Sequence, residues 1–591
     1  MKSRRISYQR PPEDIVITPT DKTKRMVALD KDHYNKIVRT STIETGNYQV
    51  RKAKLNLPST EQAKFNRELN KIADKYAEVH PELAKALRYY TCSEPLPCPV
   101  YCLPKDHKEG ELKGRPIHAA TDTPATRLSK YLASQLKVLL VHVPAHLKNT
   151  NDFITFLSTI DQQIHGFCSL DVCNLYGSIP VDDLEDGTPG VLTVIQEFFS
   201  NHKRDSDLRF LDDSDFVSLV RLCLTSDVVL IDNRSFQQES GLAMGNNLAP
   251  TLAIIYMNKL DAGILSSFND GALSLKRYID DMFVIWHSDL DPNFILSTAN
   301  SLNKAIQFTM EQPTNDSIPF LDTMVTLNRD TNKFTTRLYV KPIHSECITP
   351  WDSHGPISAK RGLLIGEIKR AISRSTDSRS RTLSLKTIKD IFKKNGYPKA
   401  FIESTIKRTL RSNASTHSRK DRDEKTIYLN MPFINEDLKR RTQSVIKRIG
   451  LNNVKVYYNN GRRSSTVFAP PKERQKCPNH CETCLAANKS NTCLTKNCIY
   501  KISCTHCNEI YIGETGRTIS TRIKEHIRNE GKTVHEHLLK HVPKPTLKDI
   551  HWDILHHNLR FFEERRIVEA LMIKQYNNIM NGCIGRFLSV A

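Results

Sequence analysis

The segment Leu275-Lys-Arg-Tyr278-Ile-Asp280-Asp281-Met-Phe-Val-Ile-Trp286 constrains the fold of this chain more than any other. Met282–Trp286 is an unbroken apolar run and reads as a strand buried on both faces. Two adjacent aspartates at the turn leading into it would be costly to bury without positive charge beside them. A metal ion meets that need. A second segment, Gly166-Phe-Cys-Ser-Leu170-Asp171-Val172, reads as another strand, with one carboxylate among apolar neighbours. Three aspartates on neighbouring strands can hold two divalent ions ~4 Å apart, an arrangement that activates a 3′-hydroxyl and stabilises a leaving pyrophosphate.

Charge points the same way. The chain has 591 residues, enough for two to four domains, and its 86 Lys and Arg against 65 Asp and Glu leave a net charge of +21. That excess calls for a polyanionic partner, most simply nucleic acid. It is concentrated in residues 360–448, with 24 basic against 9 acidic residues. Leu364, Ile365, Ile368 and Ile372 recur there at helical spacing, so the region reads as a basic helical subdomain with one buried face. The Ser/Arg/Asp-rich stretches Ser373–Thr387 and Ser412–Lys425 read as solvated linkers. No apolar run approaches the ~20 residues of a membrane span, and basic Met1–Ser7 leads into Tyr8-Gln-Arg-Pro-Pro without the apolar core of a signal peptide.

Seven of the 15 cysteines fall between 477 and 507; the other eight read as buried thiols of a reducing compartment. One grouping is Cys477, Cys481, Cys484 and Cys493. The other is Cys504-x2-Cys507 with His537-x3-His541, a Cys2His2 set at zinc spacing. Thr505-His506 can make the tight turn, and His537 and His541 at i, i+4 would share one helix face.

Taken together, the two aspartate segments resemble those of reverse transcriptases, specifically those of Penelope-like retroelements. The palm signature is matched at Asp171 and at Tyr278-Ile-Asp280-Asp281. The resemblance implies that Asp171, Asp280 and Asp281 bind two Mg2+ ions, and that Tyr176 is the aromatic that blocks a ribose 2′-hydroxyl. Gln237-Gln-Glu-Ser-Gly241-Leu-Ala-Met244-Gly245-Asn-Asn-Leu-Ala-Pro250 is similar to the segment beside the nascent base pair, placing Gln237 and Gly245 there. Asp21-Lys22-Thr23 resembles an Asp-Lys-Gly motif near the start of the fingers, with Thr23 where Gly is usual. Leu103-Pro-Lys105-Asp-His107-Lys108 and Gly114-Arg115-Pro116-Ile117 match finger segments facing template and triphosphate. They nominate Lys105 and, as the bidentate phosphate clamp, Arg115. Ile318-Pro-Phe320-Leu321-Asp322 and Tyr339-Val-Lys341-Pro342 match segments closing the palm, and Asn395-Gly396-Tyr397-Pro398 lies in a thumb-like stretch. A basic thumb would grip a template–primer duplex through its phosphates.

Towards the carboxyl end, Ile499–Ser503 and Glu509–Ile512 read as short strands, and Ile519, Ile523 and Ile527 as a helical stripe with Arg522 and His526 on one face. Phe562–Gln575 reads as a helix carrying Glu569. With Cys498-Ile-Tyr500 and Tyr511-Ile-Gly513, this resembles the GIY-YIG nuclease domain fused to Penelope-like polymerases, with Cys498 where the first Gly is usual. The resemblance places Tyr500 and Tyr511 at the water, Arg522 on the scissile phosphate, His526 in proton transfer and Glu569 on one Mg2+. It also implies a Cys-rich linker before the nuclease (Cys477, Cys481, Cys484, Cys493, a second zinc set) and an inserted Cys2His2 zinc set (Cys504, Cys507, His537, His541).

The implied architecture is a multidomain α+β chain. An N-terminal extension and fingers span 1–160, a reverse transcriptase palm 161–345 with fingers partly interleaved, and a basic helical thumb 346–450. A Cys-rich linker follows over 451–497, then a small α/β GIY-YIG nuclease over 498–591. The implied function is target-primed reverse transcription by an RNA-directed DNA polymerase coupled to an endonuclease. Its partners would be the element's template RNA, target DNA, an RNA–DNA hybrid and dNTPs, with no membrane, and its site of action the nucleus, where Lys439-Arg-Arg441 is a candidate import signal. Two rivals stand: a domesticated or decayed copy that only binds nucleic acid, and a polymerase that uses pre-existing DNA ends.

Overall fold

Leu273–Tyr278 and Asp281–Trp286 pair as a hairpin closed by Ile279 and Asp280. The second strand continues onto Gly166–Val172, which pairs on its far side with Phe308–Glu311, giving a four-stranded antiparallel sheet. Strand alternation sends Met282, Val284 and Trp286 into one core with Cys168, Leu170 and the helix Ala249–Ser266. Phe283 and Ile285 enter another with Phe153, Phe167 and Phe320. Burial on both faces is why the run is continuously apolar rather than alternating. Each side chain so covered contributes about 1.5–3 kcal/mol relative to exposure. The register sets Asp281 directly opposite Asp171.

This computed structural model describes residues 14–23, 25–51, 57–91, 97–106, 112–232, 234–342, 346–413, 426–451, 453–459, 482–486, 492–507, 509–528, 533–557, 559, 562–576 and 578–581. They form two compact units, 1–463 and 464–591. In the first, a five-stranded sheet takes Tyr48–Val50, Arg234–Gln238, Val229–Ile231, Cys98–Pro104 and Gly114–His118 in that order, and a three-stranded meander spans Ser317–Leu338. The amino-terminal hairpin Ile15–Pro19/Met26–Asp30 carries its tip to Cys98–Pro104, where Asp21 N donates to Pro104 O at 2.8 Å.

The basic region departs from its expected form in two places. Helices Ile357–Ser373, Ser378–Lys394 and Lys399–Asn413 share a core of Leu364, Ile368, Ile388, Phe392 and Ile402. The stretch read as a linker over 373–387 is therefore mostly helix. Beyond it the chain is not purely helical. Ile427–Pro432 and Val454–Asn459 pair in parallel across the helix Glu436–Arg448, so this module crosses the expected boundary at 450. Residues 414–425, the rest of the second expected linker, lie outside the described ones.

In the second unit, Cys498–Cys504 is the central strand between Ile510–Thr515 and Ile550–His556. Ile519, Ile523 and Ile527 are all buried, as their spacing requires, and Phe562–Gln575 is a helix. Residues expected to be linker join this core: Trp552 Nε1 donates to Thr483 O at 2.7 Å, and Ser520 N to Cys493 O. Among the described residues no helix is long and apolar enough to cross a membrane.

Candidate active sites

In the first unit, a cavity of about 710 Å3 takes its walls from the carboxylate sheet, the Cys98–His118 hairpin and the tip of the amino-terminal hairpin. Asp171 and Asp280 line one side; Lys22, Lys105, Lys113 and Arg115 supply its cations, and Tyr176 is also in its wall. Burial, with the neighbouring Asp280 and Asp171 carboxylates, pushes the Asp281 carboxyl up to about 6. Such crowding favours an added cation. Carboxylate oxygens are the donors magnesium takes, so Asp171, Asp280 and Asp281 fit it chemically. Tyr176 is half-buried; burial raises its phenol pKa, and the Asp280 and Arg115 charges act on it in opposite directions.

Gly245 has φ +131°, and a Cβ there would lie 2.0 Å from His118 O. Only glycine permits that approach, which His118 N seals by donating to Met244 O at 2.8 Å. Gly241, at φ +79°, also packs close: a Cβ there would lie 3.0 Å from Gly177 O and 3.1 Å from Tyr176 O. Gln237 is absent from the lining of this cavity; its neighbour Gln238 is in it. His118 and Tyr48, both lining residues, hydrogen bond at 2.9 Å, and burial lowers the imidazole pKa to about 4.

Three further positioning groups carry weight. Asp21, buried at the hairpin tip, lies 3.4 Å from the Arg115 guanidinium. Thr23 donates its hydroxyl to Asp106 Oδ2 at 2.7 Å and so pins the tip. Arg277 is fully buried: it donates to Asp261 through Nε at 2.8 Å and Nη2 at 2.6 Å, and through Nη1 to Ile279 O at 2.9 Å. Ile279 has φ +58°, a left-handed conformation that a β-branched residue adopts only under constraint, at a cost of about 1–3 kcal/mol. The guanidinium supplies that constraint and so fixes the turn carrying Asp280. Its signal was present in the sequence: period-two alternation places Arg277 on the inward face with Leu273 and Leu275.

In the second unit, Tyr500 is fully buried and stands opposite Gly513, where a Cβ would meet its hydroxyl at 2.5 Å. Arg522 Nε donates to Tyr500 Oη at 3.1 Å, and the phenol lies 2.7 Å from His526 Nε2. Accepting from arginine, the phenol is free to donate to a neutral histidine. Tyr511 packs edge-on against His526 with ring centroids 4.9 Å apart. Glu569 Oε1 accepts from Glu514 N at 3.1 Å, bringing its helix onto the Tyr511 strand, and burial raises its carboxyl pKa. These five residues form one cluster whose carboxylate fits a magnesium ion. Cys498 is a fully buried thiol facing the apolar core, pushed up to about 12 by burial.

Cys504, Cys507, His537 and His541 bring four donor atoms within 4.8 Å of one another. Two thiols and two imidazoles at this spacing fit tetrahedral zinc. His537 Nδ1 lies 3.3 Å from Glu509, the outer carboxylate contact that orients a ligating imidazole. His541 lies two residues beyond the helix Thr533–Leu539, its N–H bonded to Leu538 O at 2.9 Å, so the shared helix face was not the means of assembly. Of the other set, Cys484 and Cys493 are buried in the strand core, while Cys477 and Cys481 lie outside the described residues. Replacing Cys504 and Cys507 by serine in the full chain should remove one equivalent of zinc by elemental analysis and lower the thermal midpoint of the second unit. An unchanged zinc content would sink this site.

Residues 347–407 match the family model of the animal helix-turn-helix domain, and residues 496–581 that of the GIY-YIG catalytic domain. No curated protein matches the chain. Among solved structures, telomerase from Candida albicans in complex with the TWJ fragment of telomeric RNA aligns at 11% identity over 67% of this chain and 64% of its own, with a TM-score of 0.41. Apo telomerase from Candida tropicalis aligns at 9% identity, over 68% and 65%, with a TM-score of 0.38. The Sicinivirus 3Dpol RNA-dependent RNA polymerase aligns at 13%, over 59% and 71%, at 0.35. The chain thus spans just under two thirds of the telomerase chains. Tyr500, Tyr511, Arg522, His526, Glu569 and the Cys2His2 donors all fall inside the stretch that matches the GIY-YIG catalytic domain.

Proposed function

We propose that this chain is a Penelope-like retroelement protein that performs target-primed reverse transcription in the nucleus. One half nicks DNA and the other extends the exposed 3′-hydroxyl on an RNA template. The observation that carries the polymerase reading is the division of the 710 Å3 cavity into carboxylates and cations. A nucleoside triphosphate needs both: a metal-binding edge at its α-phosphate and cations along its tail. Arg115, steadied by Asp21, and Lys105, Lys113 and Lys22 would hold the tail, while Tyr176 would close against the ribose. Asp171, Asp280 and Asp281 would hold two magnesium ions, which would supply Lewis-acid chemistry at the primer hydroxyl and the leaving pyrophosphate.

In the nuclease half, the buried phenol of Tyr500 would relay a proton from the attacking water towards His526. Arg522 offsets charge that develops on the scissile phosphate, and Glu569 would hold a magnesium ion that assists the leaving oxygen. The helices of residues 357–413 and their cations would grip an RNA–DNA hybrid through its phosphates, a contact that weakens steeply with salt.

The test is a coupled reaction: full-length protein, structured RNA ending in a defined 3′ tail, supercoiled DNA, dNTPs and Mg2+. cDNA covalently joined to nicked target DNA is the expected product. Nicking without joined cDNA, with extension of a supplied primer intact, would favour use of pre-existing ends. Failure of both reactions would leave a nucleic-acid-binding protein only.

A further inference from the structure

The parallel pair Ile427–Pro432/Val454–Asn459 has a face that no other described residue of its module covers. Register sets Tyr428 opposite Lys455 and Asn430 opposite Tyr457, which puts all four on one side of the ribbon. The other side carries Val454, Val456 and Tyr458, which are part-buried on the module's helix, Tyr458 Oη donating to Lys439 O at 3.5 Å. Tyr428 and Tyr457 stay 52% and 59% exposed although their ring centroids are 5.3 Å apart. Between the strand Val454–Asn459 and the helix lies a groove of about 440 Å3 whose walls include Tyr457, with apolar Ile446, Leu451, Val454 and Val456 and polar Gln443, Lys447 and Lys455.

Charge selects the occupant. Residues 426–459 hold six Lys and Arg against two Asp and Glu. Both acids sit in the first helical turn and pair there with Lys439, Arg440 and Arg441. The groove end of the helix, with Lys447 and Arg448, and the strand with Lys455 therefore present uncompensated positive charge among the described residues. Adjacent exposed aromatic rings, a flat apolar slot and flanking lysines match the faces and phosphates of unpaired nucleotides. A peptide strand adding to the ribbon edge would gain from the apolar slot but has no use for the lysines.

We infer that this face binds single-stranded RNA, with bases stacked on Tyr428 and Tyr457, one base in the groove, and phosphates on Lys447 and Lys455. The choice of RNA rests on the reading of the chain as an RNA-copying polymerase; the stacking geometry does not. The site would take unpaired template, distinct in chemistry from a phosphate grip on a duplex.

The test uses full-length protein, with saturating unlabelled RNA–DNA hybrid to fill the polymerase cleft, and a short unpaired RNA carrying 2-aminopurine. Tyr428→Ala/Tyr457→Ala is expected to weaken binding roughly ten- to hundred-fold and to abolish the stacking quench of 2-aminopurine fluorescence. Tyr457→Phe should retain both, because the ring and not the hydroxyl is used. Extension of a fully annealed primer should stay at the wild-type rate, which also reports that the double variant is folded. Unchanged RNA affinity in the double variant overturns the inference, as does a loss seen with DNA of the same sequence but not with RNA. Unchanged affinity with a shift in sedimentation mass would mark the face as a contact between copies, which also overturns it. If wild type extends no primer while RNA binding still follows the tyrosines, the polymerase reading fails and this one stands.

Discussion

Asp280→Ala is expected to extend no primer and to nick supercoiled DNA at the wild-type rate. Asp280 lines the cavity on the turn between two strands, and its partner carboxylates at Asp171 and Asp281 sit across the ladder from each other. Removing one of three carboxylates would leave too little negative charge for the proposed pair of divalent ions, whose combined stabilisation of phosphoryl transfer would be worth several kcal/mol. At 1.36 kcal/mol per decade, the expected fall in extension is roughly a thousandfold or more. The turn itself should survive, because its conformation is held by Arg277 through the carbonyl of Ile279 and not by the Asp280 side chain. An unchanged thermal midpoint checks that. Extension within tenfold of wild type would remove the three aspartates from the chemistry.

Glu569→Gln should show the opposite pattern: primer extension intact and nicking lost, by roughly a thousandfold if its metal supplies several kcal/mol. Glutamine keeps the carbonyl oxygen that accepts from Glu514 N, so the helix should remain docked on the Tyr511 strand. What it removes is charge. Tyr500→Phe is the companion variant, because it deletes only the hydroxyl that joins Arg522 to His526. Both former partners lose a hydrogen bond inside the fold, at about 1–3 kcal/mol for each group left unsatisfied. Nicking should fall in the phenylalanine variant even where the fold holds. Gel assays of supercoiled DNA read both results. Normal nicking by Glu569→Gln would leave the GIY-YIG match as a fold without that ligand.

Where side-chain period carried the signal, the sequence was enough to read the structure. The apolar run Met282–Trp286 and the isoleucine stripe of 519–527 are each set by which positions must be buried; the helix Phe562–Gln575 is not, since Phe562, Ile567 and Leu571 stay about half exposed. Pairing register is harder. Gln237 and Gln238 are adjacent in a strand, so the single step between Tyr48 and Gln49 opposite them decides which one lines the cavity. The Ser378–Lys394 helix was hidden for a different reason. Its buried face is partly serine: Ser384 Oγ accepts from Leu338 N at 2.9 Å, and Ser380 bonds the capping Asp377. Serine at core positions reads as solvated unless its bonding partner is known. The parallel ribbon beyond was hidden because its strands pair across an intervening basic helix, and Ile427–Pro432 shows no burial alternation, with five of its six residues exposed.

The Arg277–Asp261 pair has a consequence for how this protein can drift. Removal of either partner strands a buried charge, at about 3–5 kcal/mol. Exchanging the two would restore the ion pair and still fail, because Ile279 O and Ile254 O both accept from the guanidinium and an aspartate has nothing to donate. The two positions are therefore locked in one polarity. Lineages that keep the strained isoleucine turn should inherit this arginine and this aspartate together, and copies that have lost one should be found to have lost the other and the turn.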